Sequence, residues 1–172
     1  LKDQGKSEEA IEAYRKAISI KPDYATANNN MGLALKEINK LEEAIKAFEK
    51  ALTINPEYAE AYYNLGLALQ EQGKLGEAIE AYKKALAIKP DYAEANNNIG
   101  ITLQDQGKSE EAIKAFEKAL AIKPEYAEAF NNMGLALKEQ GKLIEAIRAY
   151  NKALSIKHDY PDAYSNLGNA FK

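Results

Sequence analysis

Small and apolar residues recur along the chain three or four positions apart. In one segment they are Ala61, Leu65, Ala68 and Leu69, and a second series begins at Ala78. Side chains at this spacing share one face of an α-helix. No segment alternates apolar and polar residues with the period of two that is typical of a strand. The pattern therefore predicts an all-α chain of amphipathic helices.

The same pattern returns with a fixed period of 34 residues. A proline, an acidic residue and a tyrosine mark the end of each period, and His158 replaces the proline in the last copy. A period of this size is typical of stacked supersecondary units. The units that it defines are 25–58, 59–92, 93–126 and 127–160, with partial units at 1–24 and 161–172.

Each complete unit contains two predicted helices separated by a turn. The proline ends the second helix, because the residue before a proline avoids helical dihedral angles. We expect Ser7 and Ser109 to cap the second helices of their units. Residues that tolerate a left-handed backbone stand where the first helix should end. They are Gly5, Asn39, Gly73, Gly107 and Gly141.

A glycine recurs in the middle of every first helix. At such a position glycine costs about 1 kcal/mol relative to alanine, so its recurrence predicts the close approach of another helix. We expect the contact to be made by an alanine of the following helix. The glycines are Gly32, Gly66, Gly100, Gly134 and Gly168, and the alanines are Ala44, Ala78, Ala112 and Ala146.

The composition excludes several classes of function. The 172 residues include no cysteine and a single histidine, and the formal net charge is −3. A disulfide framework, a thiolate nucleophile and a histidine-based metal site within one chain are therefore excluded. We expect no cofactor and no catalytic group.

Charge and hydropathy also limit the partners. The slightly acidic balance argues against nucleic acid, whose binding depends on a basic surface. No apolar run is long enough to span a bilayer, which argues against a membrane protein. The first residues lack the layout of a signal peptide, so we expect cytoplasmic residence.

The repeated positions resemble the tetratricopeptide repeat (TPR) family along the whole chain. The family pattern is a large residue, Leu-Gly, alanine, an aromatic residue, alanine and proline. In the second complete unit it falls on Tyr62, Leu65, Gly66, Ala78, Tyr82, Ala85 and Pro90. The resemblance implies a right-handed α-solenoid, or superhelix, of stacked antiparallel helix pairs. It also implies that the first helices line a concave groove that binds peptides or other proteins.

A longer period of two units is superimposed on the single one. The segment EEAIKAFEKAL is identical at 42–52 and 110–120. The aromatic residue of the second helix alternates between tyrosine and phenylalanine. The fourth position of the unit is Tyr62, Phe130 and Tyr164 in alternate units and Asn28 and Asn96 in the others. These features indicate the duplication of a pair of units.

The sixth position of every first helix is an asparagine. The five residues are Asn30, Asn64, Asn98, Asn132 and Asn166. An amide offers both a donor and an acceptor, and a row of amides can therefore pair with the backbone of an extended peptide. The arrangement resembles the asparagine ladder in the TPR superhelix of O-linked N-acetylglucosamine transferases. The alternative is that these asparagines form local hydrogen bonds that help to stack the units.

Two further rows of residues are expected to face the same groove. The fifth position is polar or aromatic, and the ninth is apolar. The residues are Asn29, Tyr63, Asn97 and Asn131 in the fifth position, and Leu33, Leu67, Ile101 and Leu135 in the ninth. An apolar row on a groove favours binding, and its alternative is contact with the neighbouring helix.

We therefore predict a protein–protein interaction scaffold that binds an extended peptide or partner segment. One alternative is the substrate-recruiting region of a larger transferase whose catalytic domain lies outside these residues. Another is head-to-tail self-association, because the chain starts and stops inside a unit. Leu1 then begins where a first helix should be finishing, and Ala163, Leu167 and Phe171 have no second helix to cover them.

Overall fold

Ten α-helices follow one another along the part of the chain that the structure describes. The structure is a computed structural model, which describes the backbone of residues 2–171 and the side chains of residues 6–171. Leu1 therefore lies outside the described residues. The helices are α1 (Lys2–Ile20), α2 (Ala25–Glu37), α3 (Leu41–Ile54), α4 (Ala59–Glu71), α5 (Leu75–Ile88), α6 (Ala93–Asp105), α7 (Ser109–Ile122), α8 (Ala127–Glu139), α9 (Leu143–Ile156) and α10 (Pro161–Ala170). No described residue lies in a strand, which confirms the all-α prediction.

The helices pack as sequential pairs. Each first helix packs against its second helix, as α2 does against α3 and α8 against α9. Within residues 1–90, α1 packs against α2 and α3 against α4, and the first helices α2 and α4 touch. Within residues 91–172, α7 packs against α8 and α9 against α10, and the first helix α8 touches α6 and α10. The chain divides into two compact units, residues 1–90 and 91–172. Within each unit this is the stacking of an α-solenoid, which confirms the predicted fold class.

The turns inside the pairs use a left-handed residue, as predicted. Asn39, Gly73, Gly107 and Gly141 have φ angles of 60°, 79°, 73° and 73°. At Gly5 the prediction is wrong, because α1 runs through this position without a break.

The glycines of four first helices lie against aromatic rings of the second helices, a contact that the sequence did not predict. A Cβ atom on Gly66 would overlap Cε1 of Tyr82. Ala78 is fully buried, and its predicted contact with the glycine stays a prediction. The corresponding pairs are Gly32 with Phe48, Gly100 with Phe116 and Gly134 with Tyr150. A Cβ atom on Gly168 would meet nothing within 4 Å.

The serines that were predicted to cap second helices instead connect successive pairs. Oγ of Ser109 donates to Oε2 of Glu139 at 2.7 Å, and Oγ of Ser7 donates to Oε2 of Glu37 at 2.9 Å. Helix α7 has Lys108 as its N-cap and no side-chain cap, because the helix starts one residue earlier than a serine cap requires. The hydroxyl groups are therefore directed to the next first helix.

Candidate interaction face on the first helices

Three of the sixth-position asparagines link first helices that lie in the same compact unit. Nδ2 of Asn64 on α4 donates to Oδ1 of Asn29 on α2 at 3.0 Å. The same bond recurs from Asn132 to Asn97 at 3.2 Å and from Asn166 to Asn131 at 2.9 Å. Within each compact unit, we call the surface formed by the fifth-, sixth- and ninth-position residues of the first helices the asparagine face. The local hydrogen bonds considered from the sequence are therefore present.

The two asparagine positions differ in burial. The fifth-position residues Asn29, Asn97 and Asn131 are only 4–5% exposed. Their amides are used inside the protein, since Nδ2 of Asn29 also donates to Oδ1 of Asn30 at 3.3 Å. The sixth-position residues are half-buried and reach the surface. They are Asn30, Asn64, Asn98, Asn132 and Asn166.

Most of the hydrogen-bonding capacity of three surface amides remains unused. A primary amide has two N–H donors and an oxygen with two lone pairs. The bond between helices uses one N–H of Asn64, Asn132 and Asn166, and no described group donates to the Oδ1 atom of these three residues. Each amide therefore keeps a donor and an acceptor for a ligand.

The apolar row lies beside the amides. The ninth-position residues are all half-buried, so a part of each side chain is accessible from the surface. They are Leu33, Leu67, Ile101 and Leu135. Tyr63, also half-buried, lies with its ring centroid 5.8 Å from that of Tyr82, at an interplanar angle of 48°. The face thus combines amides with apolar surface.

Charged and polar pairs connect the C-terminal ends of the first helices. Nζ of Lys36 on α2 lies 2.7 Å from Oε1 of Glu71 on α4. At the equivalent position, Nε2 of Gln104 on α6 donates to Oε1 of Glu139 on α8 at 2.9 Å. Lys36 is therefore neutralised by a neighbouring repeat, so a ligand carboxylate would have to compete with Glu71 for it.

Two grooves on the other side of the first helices were not predicted from the sequence. One has a volume of about 520 Å³ and lies among α3, α4 and α5, with Tyr62, Leu65 and Leu69 in its lining. The other has a volume of about 320 Å³ and is lined by Phe130 and by residues of α7, α8 and α9. The sequence signal for these grooves was the alternation between asparagine and an aromatic residue at the fourth position of the unit. Each groove is lined by the aromatic residue of that position.

The described residues contain no group of three or more metal-ligating side chains. In the part of the chain that the structure describes, no helix combines the length and the apolar character needed to cross a membrane.

Comparisons with known proteins agree with this architecture. Family models described as tetratricopeptide repeat match residues 59–125 and 115–148, and one described as TPR repeat matches 1–39, 35–73 and 134–172. A comparison with curated proteins finds no match.

Three solved structures illustrate the similarity. A crystal structure of MamA is 31% identical, with a TM-score of 0.84 and coverage of 90% of both chains. YrrB, described as a TPR protein with an unusual peptide-binding site, is 27% identical, with a TM-score of 0.78 and coverage of 94% of this chain and 83% of YrrB. MamA from Desulfovibrio magneticus RS-1 shares the fold at 21% identity, with a TM-score of 0.83 and coverage of 91% and 89%. The family matches, the period and the stacked helix pairs together establish that the chain belongs to the tetratricopeptide-repeat family.

Proposed function

We propose that this TPR protein-interaction scaffold binds an extended peptide or disordered partner segment on its asparagine face. The observation that carries the proposal is the row of half-exposed amides, in which Asn64, Asn132 and Asn166 each retain a donor and an acceptor. An extended backbone presents the complementary N–H and C=O groups. The similarity to YrrB, a TPR protein with a peptide-binding site, supports the proposal.

The hydrogen bonds between helices also favour binding. The bond from Asn64 to Asn29 fixes the amide plane of Asn64 before a ligand arrives. Ordering a side chain on binding costs about 0.5–1.5 kcal/mol, and a side chain that is already ordered avoids this cost. The neighbouring apolar row then supplies contacts for the side chains of the bound segment.

The test is binding to a peptide array by the triple variant Asn64→Ala/Asn98→Ala/Asn132→Ala. We expect binding to weaken by about tenfold or more, because each hydrogen bond removed contributes about 0.5–1.5 kcal/mol. If the variant binds the same peptides as tightly as the parent chain, the proposal is wrong.

A matched control separates ligand contact from helix stacking. Asn29→Ala/Asn97→Ala removes the buried acceptors of Asn64 and Asn132 but leaves the surface amides in place. We expect this control to lower the thermal midpoint while retaining most of the peptide binding. If the control loses binding as completely as the triple variant, the asparagines act through stacking alone.

Head-to-tail self-association is a second candidate. The observation that favours it is the exposure of Tyr164 and Phe171, which are 57% and 70% exposed. Analytical ultracentrifugation up to high protein concentration tests this self-association. A protein that stays monomeric at every concentration would contradict it. The transferase alternative also stays a prediction, and a catalytic domain in a longer sequence of the same protein would support it.

A further inference from the structure

Helices α1 and α10 each lack one of the neighbours that the other helices of their kind have. A second helix such as α3 packs against α2, the first helix of its own pair, and against α4, the next first helix. Residues 7–20 of α1 (SEEAIEAYRKAISI) have the pattern of a second helix, because they closely match α7 (SEEAIKAFEKALAI). In the part of the chain that the structure describes, α1 packs against α2, and α10 packs against α9 and α8 without a second helix of its own pair. Each of the two helices therefore keeps one uncovered face.

The uncovered face of α1 carries residues of the kind that other second helices bury. Ala13 is exposed, whereas the equivalent alanines are only 4–6% exposed. Tyr14 is half-buried, whereas the equivalent rings are fully buried. The alanines are Ala47, Ala81, Ala115 and Ala149, and the rings are Phe48, Tyr82, Phe116 and Tyr150. The face around Ala13 and Tyr14 thus has the composition of a helix contact but remains open.

The uncovered face of α10 has an empty space in front of its glycine. In four pairs the ring of the second helix fills the space beside the glycine of the first helix, as the ring of Tyr82 does at Gly66. At Gly168 a built Cβ atom would meet nothing within 4 Å. Tyr164 and Phe171 lie about one helical turn before and after this glycine, and both are exposed. Helix α10 therefore presents a glycine without a ring, between two exposed aromatic side chains.

The two uncovered faces complement each other as the two helices of a pair do. None of the glycines whose surroundings the structure describes lies against Tyr14, and no ring lies against Gly168. This ring and this glycine occupy the same repeat positions as the four ring–glycine pairs that are already formed. A symmetric contact would place α1 against α1 or α10 against α10, and the space at Gly168 would stay empty. The match therefore selects α1 of a second copy of this chain as the occupant of the α10 face.

We propose that α1 of one copy packs on α10 of another and completes it as a helix pair, with the ring of Tyr14 against Gly168. The proposal rests on the second candidate function, head-to-tail self-association, and assigns the residues that make the contact. Ala13 lies within this contact, which also covers Tyr164 and Phe171. Because the two faces differ, each copy that binds another keeps one free face, and contacts of this kind generate open chains of copies.

The test uses two variants that each block one face. Ala13→Glu places a charge at an exposed position of α1, and Gly168→Leu fills the empty space on α10, so neither variant disturbs the packing of the single chain. We expect the parent to form oligomers that grow with protein concentration in analytical ultracentrifugation. Each variant should raise the apparent dissociation constant by about tenfold or more. Circular dichroism checks that both variants are folded.

A matched control separates the contact from a general effect of charge. Ser19→Glu makes the same change in charge on α1 as Ala13→Glu, but at a position that is exposed in every second helix. We expect Ser19→Glu to associate like the parent. An equal loss of association in Ser19→Glu and Ala13→Glu would overturn the assignment of this face.

An equimolar mixture of the two blocking variants provides the sharpest test. Ala13→Glu retains an intact α10 and Gly168→Leu retains an intact α1, so the mixture should form a dimer with one copy of each and nothing larger. Association that is lost in Gly168→Leu and not restored in the mixture would indicate a symmetric contact and overturn the proposal. If both variants associate like the parent, this interface is wrong although head-to-tail association stands. If the parent is monomeric at every concentration, both are wrong.

Discussion

Two tyrosines of the second helices have buried hydroxyl groups in different surroundings. The hydroxyl of Tyr82 donates to Oε1 of Gln70 at 2.9 Å. The hydroxyl of Tyr150 has no hydrogen-bond partner among the described residues. The same position is occupied by Phe48 and Phe116 in the alternate units, and all four rings are fully buried. This position therefore accepts an aromatic ring with or without a hydroxyl group. Whether the hydroxyl group stabilises the protein depends on whether it has a hydrogen-bond partner.

The two tyrosines should respond in opposite ways to the same substitution. Tyr82→Phe removes a buried hydrogen bond and leaves Gln70 unpaired, so we expect the free energy of unfolding to fall by about 1–2 kcal/mol. Tyr150→Phe removes an unsatisfied hydroxyl and should leave the free energy of unfolding unchanged or raise it. Urea unfolding of the two variants measures both changes. A larger loss for Tyr150→Phe than for Tyr82→Phe would contradict the assignment.

Tyr150 also makes the free energy of unfolding depend on pH in the alkaline range. Burial, and to a lesser extent the charge of Glu139, raises the pKa of Tyr150 from 10.0 to about 12. Between these values the unfolded chain has released the phenolic proton while the folded chain retains it, so the free energy of unfolding falls as pH rises. Tyr150→Phe lacks this group. Its stability relative to the parent should therefore increase as the pH rises through 10.

At the scale of the helix, contact between a glycine and an aromatic ring fixes the distance between the two helices of a pair. The ring of Tyr82 occupies the space that a side chain on Gly66 would need. We expect Gly66→Ala to lower the free energy of unfolding by about 1–3 kcal/mol, because overpacking outweighs the gain in helix propensity. Thermal or urea unfolding provides the measurement.

The chain offers a matched control for this glycine. Gly168 occupies the same position of α10, but nothing lies within 4 Å of its built Cβ atom. Gly168→Ala should therefore raise the free energy of unfolding, by about 0.5–1 kcal/mol from helix propensity. If both glycines tolerate alanine equally, the contact with Tyr82 does not limit the helix spacing.

At the scale of the whole molecule, each helix pair depends on its neighbours. Helix α10 packs against α9 and α8, and the fully buried Ala163 belongs to a cluster with Ala127, Leu154 and Tyr160. In a stacked array the stability of one repeat is transmitted mainly to the next. The effect of removing α10 should therefore be local.

Deletion of residues 161–172 should selectively destabilise α8 and α9. The loss of apolar contact is worth about 1.5–3 kcal/mol, so we expect their amides to exchange with solvent about tenfold or more faster. The amides of α2–α4 should keep their protection. Hydrogen exchange read out by mass spectrometry measures this, with Tyr164→Ser at an exposed position of α10 as the control. Uniform acceleration along the chain would contradict transmission between neighbours.

The sequence by itself determined the helices, their ends and the order in which they stack. These features depend on local chemistry: the spacing of apolar residues, a left-handed residue at Asn39 or Gly73, and a proline after the second helix. The exception at Gly5 shows the limit, because α1 continues through this glycine without a turn. Because the sequence repeats every 34 residues, the same helices and turns recur in each unit.

The tertiary structure alone decided which side chains meet across the helices. The helical period tells which face of a helix is buried, but the residue opposite depends on the axial offset and crossing angle of the partner. Gly66 therefore lies against the ring of Tyr82, and Ser109 meets Glu139 rather than its own helix end. For the same reason the asparagines were recognisable as a row, whereas the bond from Asn64 to Asn29 and the groove lined by Tyr62 became visible only in the packed structure.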